Sequence, residues 1–221
     1  QAAAIVESIT SIPSGAEDQV YVSVKREIDG STVRHVEFLK PIEFGTDVTD
    51  AFFLDSGLTY DSTATATITG LNHLEGEIVS VLADGSSHPD KTVSGGAITL
   101  ERDASKVHVG FGYRSTVETL RIEAGADDGI AQGKIKRIHG VTVRFFNTVG
   151  AEMGPDTNNL DRLPFRDSSM AMDEAVPLFN GDKEISFPAG YENDARVVVR
   201  QSQPLPMTVL AIMRRSNTFD A

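Results

Sequence analysis

Five histidines are the side chains of this sequence best suited to acid–base or metal chemistry. They are scattered along it, at His35, His73, His88, His108 and His139. No two of them have the i, i+4 spacing that places both imidazoles on one face of a zinc-binding helix. His88 lies between Asp84 and Asp90, but the neighbouring sequence supplies no further ligands. We therefore predict a polar turn before Pro89 and no metal site, and we expect His88→Ala to leave stability unchanged.

Two Asp- and Asn-rich segments place oxygen atoms at the alternate spacing of a calcium loop. Residues 155–161, PDTNNLD, offer Asp156, Asn158 and Asp161, and residues 125–129 read GADDG. The first segment lacks the sixth-position glycine and the closing glutamate of an EF-hand. Asp and Asn side chains in such segments more often bond to nearby backbone. We therefore favour capping turns for both segments, with calcium binding as the alternative.

The motifs of the common enzyme classes are missing from the sequence. There is no G-x-S-x-G nucleophile elbow, no P-loop and no dinucleotide-binding G-x-G-x-x-G. The chain has no Cys, which excludes disulfides, thiolate nucleophiles and Cys-ligated zinc or iron–sulfur centres. We predict a protein that is not an enzyme, with no cofactor and no small-molecule substrate.

A basic stretch and two phenylalanine pairs are the candidate interface residues. Residues 134–144, KIKRIHGVTVR, include Lys134, Lys136 and Arg137. These charges either contact DNA or an acidic partner, or they protect a strand edge from aggregation, which we favour. In Phe52-Phe53 and Phe145-Phe146, one ring faces the core and the other fills a second sheet or an interface. We assign Phe52 and Phe146 to the candidate interface.

Acidic residues dominate the composition of the chain. Its 221 residues include 20 Lys and Arg against 32 Asp and Glu, which gives a net charge of −12. A general nucleic-acid binder needs the opposite balance, and anionic membranes repel such a surface. No apolar run approaches the length of a membrane span.

Period-2 alternation and turn residues predict how these side chains are positioned. In VYVSVKREI, Val20, Val22 and Val24 share one face, and Asp29-Gly30 then supplies the strongest two-residue hairpin signal. We predict an all-β fold of antiparallel sandwich or barrel domains with little helix. Residues 1–62 form strands and a hairpin that pack with the C-terminal domain, residues 63–113 a small β-barrel-like unit, and residues 114–221 a β-sandwich with a long irregular loop near 150–180.

Three stretches of the sequence resemble one family of phage proteins. They are FFLDSGLTY (52–60), ITGLNHLEGEIVSVLADG (68–85) followed by HPDKTVSGGAITL (88–100), and FPAGYENDARVVVRQSQPLPMTVLAIM (187–213). They are similar to the C-terminal part of tail-nozzle proteins, also called tail tubular protein B or tail hub, of short-tailed phages and prophages. The resemblance runs from about Val20 to Met213.

The resemblance implies a structural virion protein assembled in the host cytoplasm. Such a protein forms a ring, a hexamer in the full-length protein, at the end of the tail tube. It binds neighbouring tail proteins and lets DNA pass without specific binding, and the family supplies no catalytic residue or metal ligand. The alternative is a receptor- or carbohydrate-binding β module, against which the lack of Trp counts because sugar faces stack on aromatic rings.

Overall fold

Antiparallel β-strands make up nearly all of the regular structure, as predicted. The computed structural model describes residues 4–15, 17–123, 125–126, 129–131, 133–172, 174–187 and 190–219. The strands are β1 Ile5–Ser14, β2 Glu17–Ile28, β3 Ser31–Phe38, β4 Asp55–Thr69, β5 Ile78–Ala83, β6 Ser86–Thr92, β7 Ala97–Phe111, β8 Ser115–Glu118, β9 Gly125–Ala126, β10 Gly129–Ile130, β11 Ile135–Thr148, β12 Glu152–Asp156, β13 Asn159–Arg162, β14 Phe179–Ser186, β15 Val198–Gln201 and β16 Thr208–Phe219. Two short 3₁₀ helices span Val48–Asp50 and Asn72–Leu74. No helix in the described residues is long and apolar enough to cross a membrane.

The chain divides into two compact units. Unit 1 is Gln1–Tyr113 and unit 2 is Arg114–Ala221. The boundary predicted between residues 62 and 63 falls inside β4, whose hydrogen bonds to β7 hold both sides of it together. Residues 1–62 therefore belong with residues 63–113 in unit 1.

Two antiparallel sheets build unit 1. One has the strand order β1-β2-β3 and the other the order β4-β7-β5-β6. The apolar core draws on both sheets, with Ile28 from β2, Val81 from β5 and Val107 from β7 all nearly inaccessible to solvent. Since Val20, Val22 and Val24 become progressively more buried along one face of β2, the predicted alternation of this strand is confirmed.

Two tight turns of unit 1 have the backbone conformation that their Asp-Gly sequences predict. Asp29 and Gly30 have φ of 46° and 70°, and Asp84 and Gly85 have φ of 47° and 74°. Two consecutive left-handed residues are the signature of a type I′ turn, whose twist matches that of the strands it joins. The turns connect β2 to β3 and β5 to β6, with Ile28 opposite Ser31. The hairpin predicted at Asp29-Gly30 is thus confirmed.

Unit 2 contains a three-stranded sheet of order β14-β11-β16, a four-stranded sheet of order β13-β12-β15-β8, and the short pair β9–β10. Val141, Val143 and Phe145 on β11 point into the core, and Arg144 on the same strand points outward. The loop predicted near residues 150–180 is shorter than expected, because β12 and β13 form a hairpin within it. Residues 163–172 and 174–178 contain no strand.

Candidate functional site

A cavity of about 570 Å³ opens in unit 1 between two segments of the chain. One wall is formed by residues 35–42, from the end of β3 onward, and the other by residues 52–57, which lead into β4. We call this cavity the β3–β4 groove. Its volume is typical of a small-molecule or peptide site.

The rim of the groove is apolar and exposed to solvent. Val36, Phe38, Leu39 and Ile42 each leave at least 48% of their surface exposed, and Tyr113 leaves 42%. Contiguous exposed apolar residues on a soluble protein mark a place where another molecule binds. The rim therefore makes this groove the strongest candidate site of unit 1.

A buried arginine holds together two carboxylates beside the groove. Arg26 is only 3% exposed, and its guanidinium donates to Glu37 at 3.1 Å and to Asp55 at 3.0 Å. The Ser56 hydroxyl donates to Glu37 at 2.8 Å, and the guanidinium lies 5.6 Å from the ring centroid of Phe111. Burial disfavours the charged guanidinium, yet the hydrogen bonds and the carboxylate charges outweigh it and raise the pKa of Arg26. The network fixes the wall of the groove.

Two histidines that lie far apart in the sequence meet at the groove. The rings of His35 and His73 are edge to face, with centroids 6.0 Å apart. His73 is fixed by a bond of 3.0 Å between its Nε2 and the carbonyl of Ser56. The Nε2 of His35 is buried and bonds to none of the described residues. A ligand in the groove could satisfy this nitrogen.

Phe52, a predicted interface residue, lines the groove and is half-buried. The ammonium of Lys40 lies 4.2 Å from its ring centroid, a cation–π distance. Burial, together with the nearby charge of Lys106, lowers the pKa of Lys40. Burial also raises the pKa of the Tyr113 phenol, and the Asp55 charge adds to this effect. The groove thus combines aromatic rings with polar groups whose ionisation the fold has altered.

The interface residues predicted in unit 2 do not form one basic surface. Lys136 is 1% exposed, and its ammonium donates to the Asn193 carbonyl at 2.6 Å. Arg137 is exposed and lies 5.3 Å from the ring centroid of Tyr191. Lys134 is partly exposed, and Phe146 is half exposed on the outer side of β11. Lys136 is therefore a structural residue and has to be removed from the candidate interface.

His88 is not the free turn residue that the sequence predicts. It is 9% exposed, its Nδ1 bonds to the Pro89 carbonyl at 2.9 Å, and its Nε2 accepts the Glu101 amide at 3.1 Å. Asp84 instead accepts the amides of Ser105 and Lys106. His88 therefore connects β6 to β7. The described residues include no group of His, Asp or Glu side chains arranged to hold a metal.

The segment PDTNNLD forms the capping turn that we predicted. Asp156 accepts the Asn158 amide at 2.7 Å and the Asn159 amide at 3.1 Å. It also accepts the Asn159 side chain at 2.7 Å, and these bonds lower the pKa of its carboxyl. Of the second acidic segment, Asp127 and Asp128 lie outside the described residues.

Comparison with known proteins adds no assignment for either unit. The chain matches no model of a known protein family and no curated protein sequence.

Proposed function

We propose that this chain is a structural component of a phage tail, at the nozzle end of the tail tube, and that it assembles into a ring in the virion. The observation that carries the proposal is a pair of long strand edges that no other described strand covers. Among the described strands, β1 and β16 each pair on one side only and expose apolar side chains. Natural monomers usually cover or disrupt such edges, whereas assembly proteins use them for contact. The sequence resemblance to tail-nozzle proteins supports the same assignment.

The distribution of charge supports a role as a conduit for DNA. Unit 1 contains 7 Lys and Arg against 17 Asp and Glu, a net charge of −10, while unit 2 contains 13 against 15, a net charge of −2. A strongly negative surface repels phosphate, so DNA slides past it without binding. The partners of this protein are then other tail proteins and further copies of itself.

Electron microscopy tests this proposal directly. Purified protein, and any longer protein that contains this chain, should show rings in negative stain and a mass in light scattering that is a multiple of one chain. Duplex DNA should migrate unchanged with the protein at low salt in a gel-shift assay. A monodisperse monomer at high concentration in both forms, or tight DNA binding, would contradict the proposal.

A second candidate function, binding of a neutral saccharide or other receptor, is favoured by the β3–β4 groove. Exposed Phe38 and Tyr113 offer rings for stacking, and the unpaired nitrogen of His35 offers a hydrogen bond. Glycan-array binding that is abolished by Tyr113→Ala and retained by Tyr191→Ala, an exposed tyrosine of unit 2, would favour this function over the first.

A further inference from the structure

Strand β1 is the most exposed strand of unit 1. Every one of its ten residues is exposed, including Ile5, Val6, Ile9 and Ile12, at 47–68%. In the described part of the chain it pairs with β2 alone, so its second edge presents free backbone N–H and C=O groups. The strand thus has four apolar β-branched side chains that its own unit does not cover.

Two exposed side chains of β1 continue an apolar face that is buried on β2. Val6 lies opposite Val24 and Ile9 lies opposite Val22 on β2. Val24 is 2% exposed and Val22 is 9% exposed, whereas Val6 and Ile9 leave 59% and 68% of their surface uncovered. The packing that covers β2 therefore stops before β1, and a second molecule could extend it.

Strand β16 is the longest edge strand among the described strands of unit 2. It has twelve residues, pairs with β11 alone among the described strands, and exposes Leu210, Met213 and Phe219. Its pairing with β11 shifts at Leu210 and again between Arg215 and Ser216, while that of β1 shifts at Glu7 and then runs unbroken from Ser8 to Ser14. The edge strand β4 is longer, but its pairing with β7 shifts at three places. Strand β16 has fewer interruptions than β4.

The two edges also carry opposite charges. Strand β1 contains Glu7 and no Lys or Arg, while β16 contains Arg214 and Arg215 and no Asp or Glu. Two copies of unit 1, at −10 each, repel one another far more strongly than unit 1 repels unit 2 at −2. Charge therefore disfavours pairing of β1 with β1 and favours pairing of unit 1 with unit 2.

We propose that the open edge of β1 in one copy pairs with the open edge of β16 in a second copy. This inference rests on the proposed self-assembly and names its contact. Backbone hydrogen bonds and apolar side chains supply the affinity. Glu7 is already paired with Arg34 at 2.8 Å, Arg214 donates to the Leu120 carbonyl at 3.0 Å and Arg215 contacts Glu184. The net charges of the two units, rather than these side chains, therefore select the partner. Because the two surfaces differ, the contact is head to tail and generates a ring or a filament.

Because the chain has no Cys, any disulfide that forms must join the introduced cysteines, so disulfide trapping tests this contact directly. One variant carries Ser8→Cys or Ser11→Cys on β1, and the other carries Ala211→Cys or Asn217→Cys on β16. The two variants are mixed at equal concentration and oxidised mildly. We expect a cross-linked dimer in the mixture and none with either variant alone.

Each other result overturns the pairing. Dimers of the β1 variant with itself would show an isologous β1–β1 contact. A third protein carries one cysteine on each strand, and a cross-link within its single chain would show that both edges are covered by their own molecule. If light scattering shows oligomers but no β1–β16 cross-link forms, the pairing fails while self-assembly stands. If the protein is monomeric at every concentration and nothing cross-links, both proposals fail.

A substitution on β1 provides the second measurement. Ile9→Lys adds a positive charge opposite the arginines of β16 and should weaken self-association by at least about tenfold. The melting temperature of the dissociated chain should not change, because Ile9 is 68% exposed. Ile78→Lys, at a side chain that is 66% exposed on the internal strand β5, is the matched control and should leave association unchanged. Equal association of the two variants would contradict the proposal.

Discussion

Arg26 occupies a position of β2 where the strand alternation requires an apolar side chain. It shares a face with Val24 and Ile28, and all three are buried. Its charge is tolerated because Glu37 and Asp55 both accept its hydrogen bonds. One partner lies on β3 and the other at the start of β4, so this single side chain joins the two sheets of unit 1.

His88→Ala should destabilise unit 1, contrary to what the sequence alone predicts. The substitution leaves the Glu101 amide without its acceptor in a partly buried position, which costs about 1–3 kcal/mol. Urea denaturation measures this change as a lower midpoint at constant slope. His139→Ala, at an exposed histidine of β11, is the control and should change the midpoint little. Equal midpoints for the two variants would show that the His88 bond contributes nothing.

The stability of unit 1 should fall in mildly acidic solution because of His108. Burial is the main cause that lowers the pKa of His108 below its ordinary value of 6.5, and Lys40 and Lys106 act in the same direction, although its bond to the Thr49 carbonyl and the Asp50 charge oppose them. As the pH falls below about 6.5, the unfolded chain therefore takes up this proton before the folded chain does. The contribution of neutral His108 to the free energy of unfolding is therefore complete above about pH 6.5. It is lost as the pH falls toward the pKa of His108 in the folded protein.

Urea denaturation at about pH 7.5 and about pH 5.5 checks this prediction. The wild type should lose more stability between the two conditions than His108→Gln does, since glutamine does not titrate. The same loss in both proteins would assign the pH dependence to other groups.

Gly154 should be essential to the β12–β13 hairpin. A Cβ atom at this position would lie 1.7 Å from the backbone oxygen of Asn159, a contact that only a backbone shift can relieve. Gly154→Ala should therefore separate these strands, and the amide of Leu163, which bonds to Ala151 beyond the hairpin, should exchange faster with deuterium. Gly190→Ala, where an added Cβ meets nothing within 4 Å, is the control. Unchanged exchange in Gly154→Ala would mean that the hairpin accommodates the methyl group.

The sequence is most informative about elements whose signals are local. The type I′ turn at Asp29-Gly30 and the alternation of β2 follow from neighbouring residues, and the structure confirms both. Strand β1 was missed, because Ile5 and Val6 are adjacent and a register shift at Glu7 interrupts the period-2 pattern. The β3–β4 groove was missed for a different reason. His35, His73 and Tyr113 meet only through the fold, and nothing in their sequence spacing signals it.

Each unit of the whole molecule has its own apolar core. The buried cluster around Val81 and Val107 is drawn from unit 1, and the cluster around Val143 and Val199 is drawn from unit 2. Sequence periodicity predicts the inward face of β2 but not the extent of unit 1. That extent depends on the pairing of β4 with β7 over residues 55–111, a contact between distant parts of the chain.

Val143→Asp should unfold unit 2, because it places a carboxylate at a position with no solvent exposure. An unpaired buried charge costs roughly 4 kcal/mol or more, a large part of the stability of a domain. Hydrogen exchange should show lost protection in β15 and retained protection in β5. Thr142→Asp, on the opposite side of β11, should keep protection in both strands. Retained protection of β15 in Val143→Asp would contradict the prediction.

Because Lys136 is buried, the rate at which its amine is chemically modified should report how often unit 2 opens. Its amine is 1% exposed and bonded to the Asn193 carbonyl, whereas Lys25 in unit 1 is partly exposed. An acylating reagent should label Lys25 in the native protein at the rate of an accessible amine. It should reach Lys136 only when β11 separates from its neighbouring strands. The rate of Lys136 acylation, followed by mass spectrometry, would then report the frequency of that opening under fully native conditions.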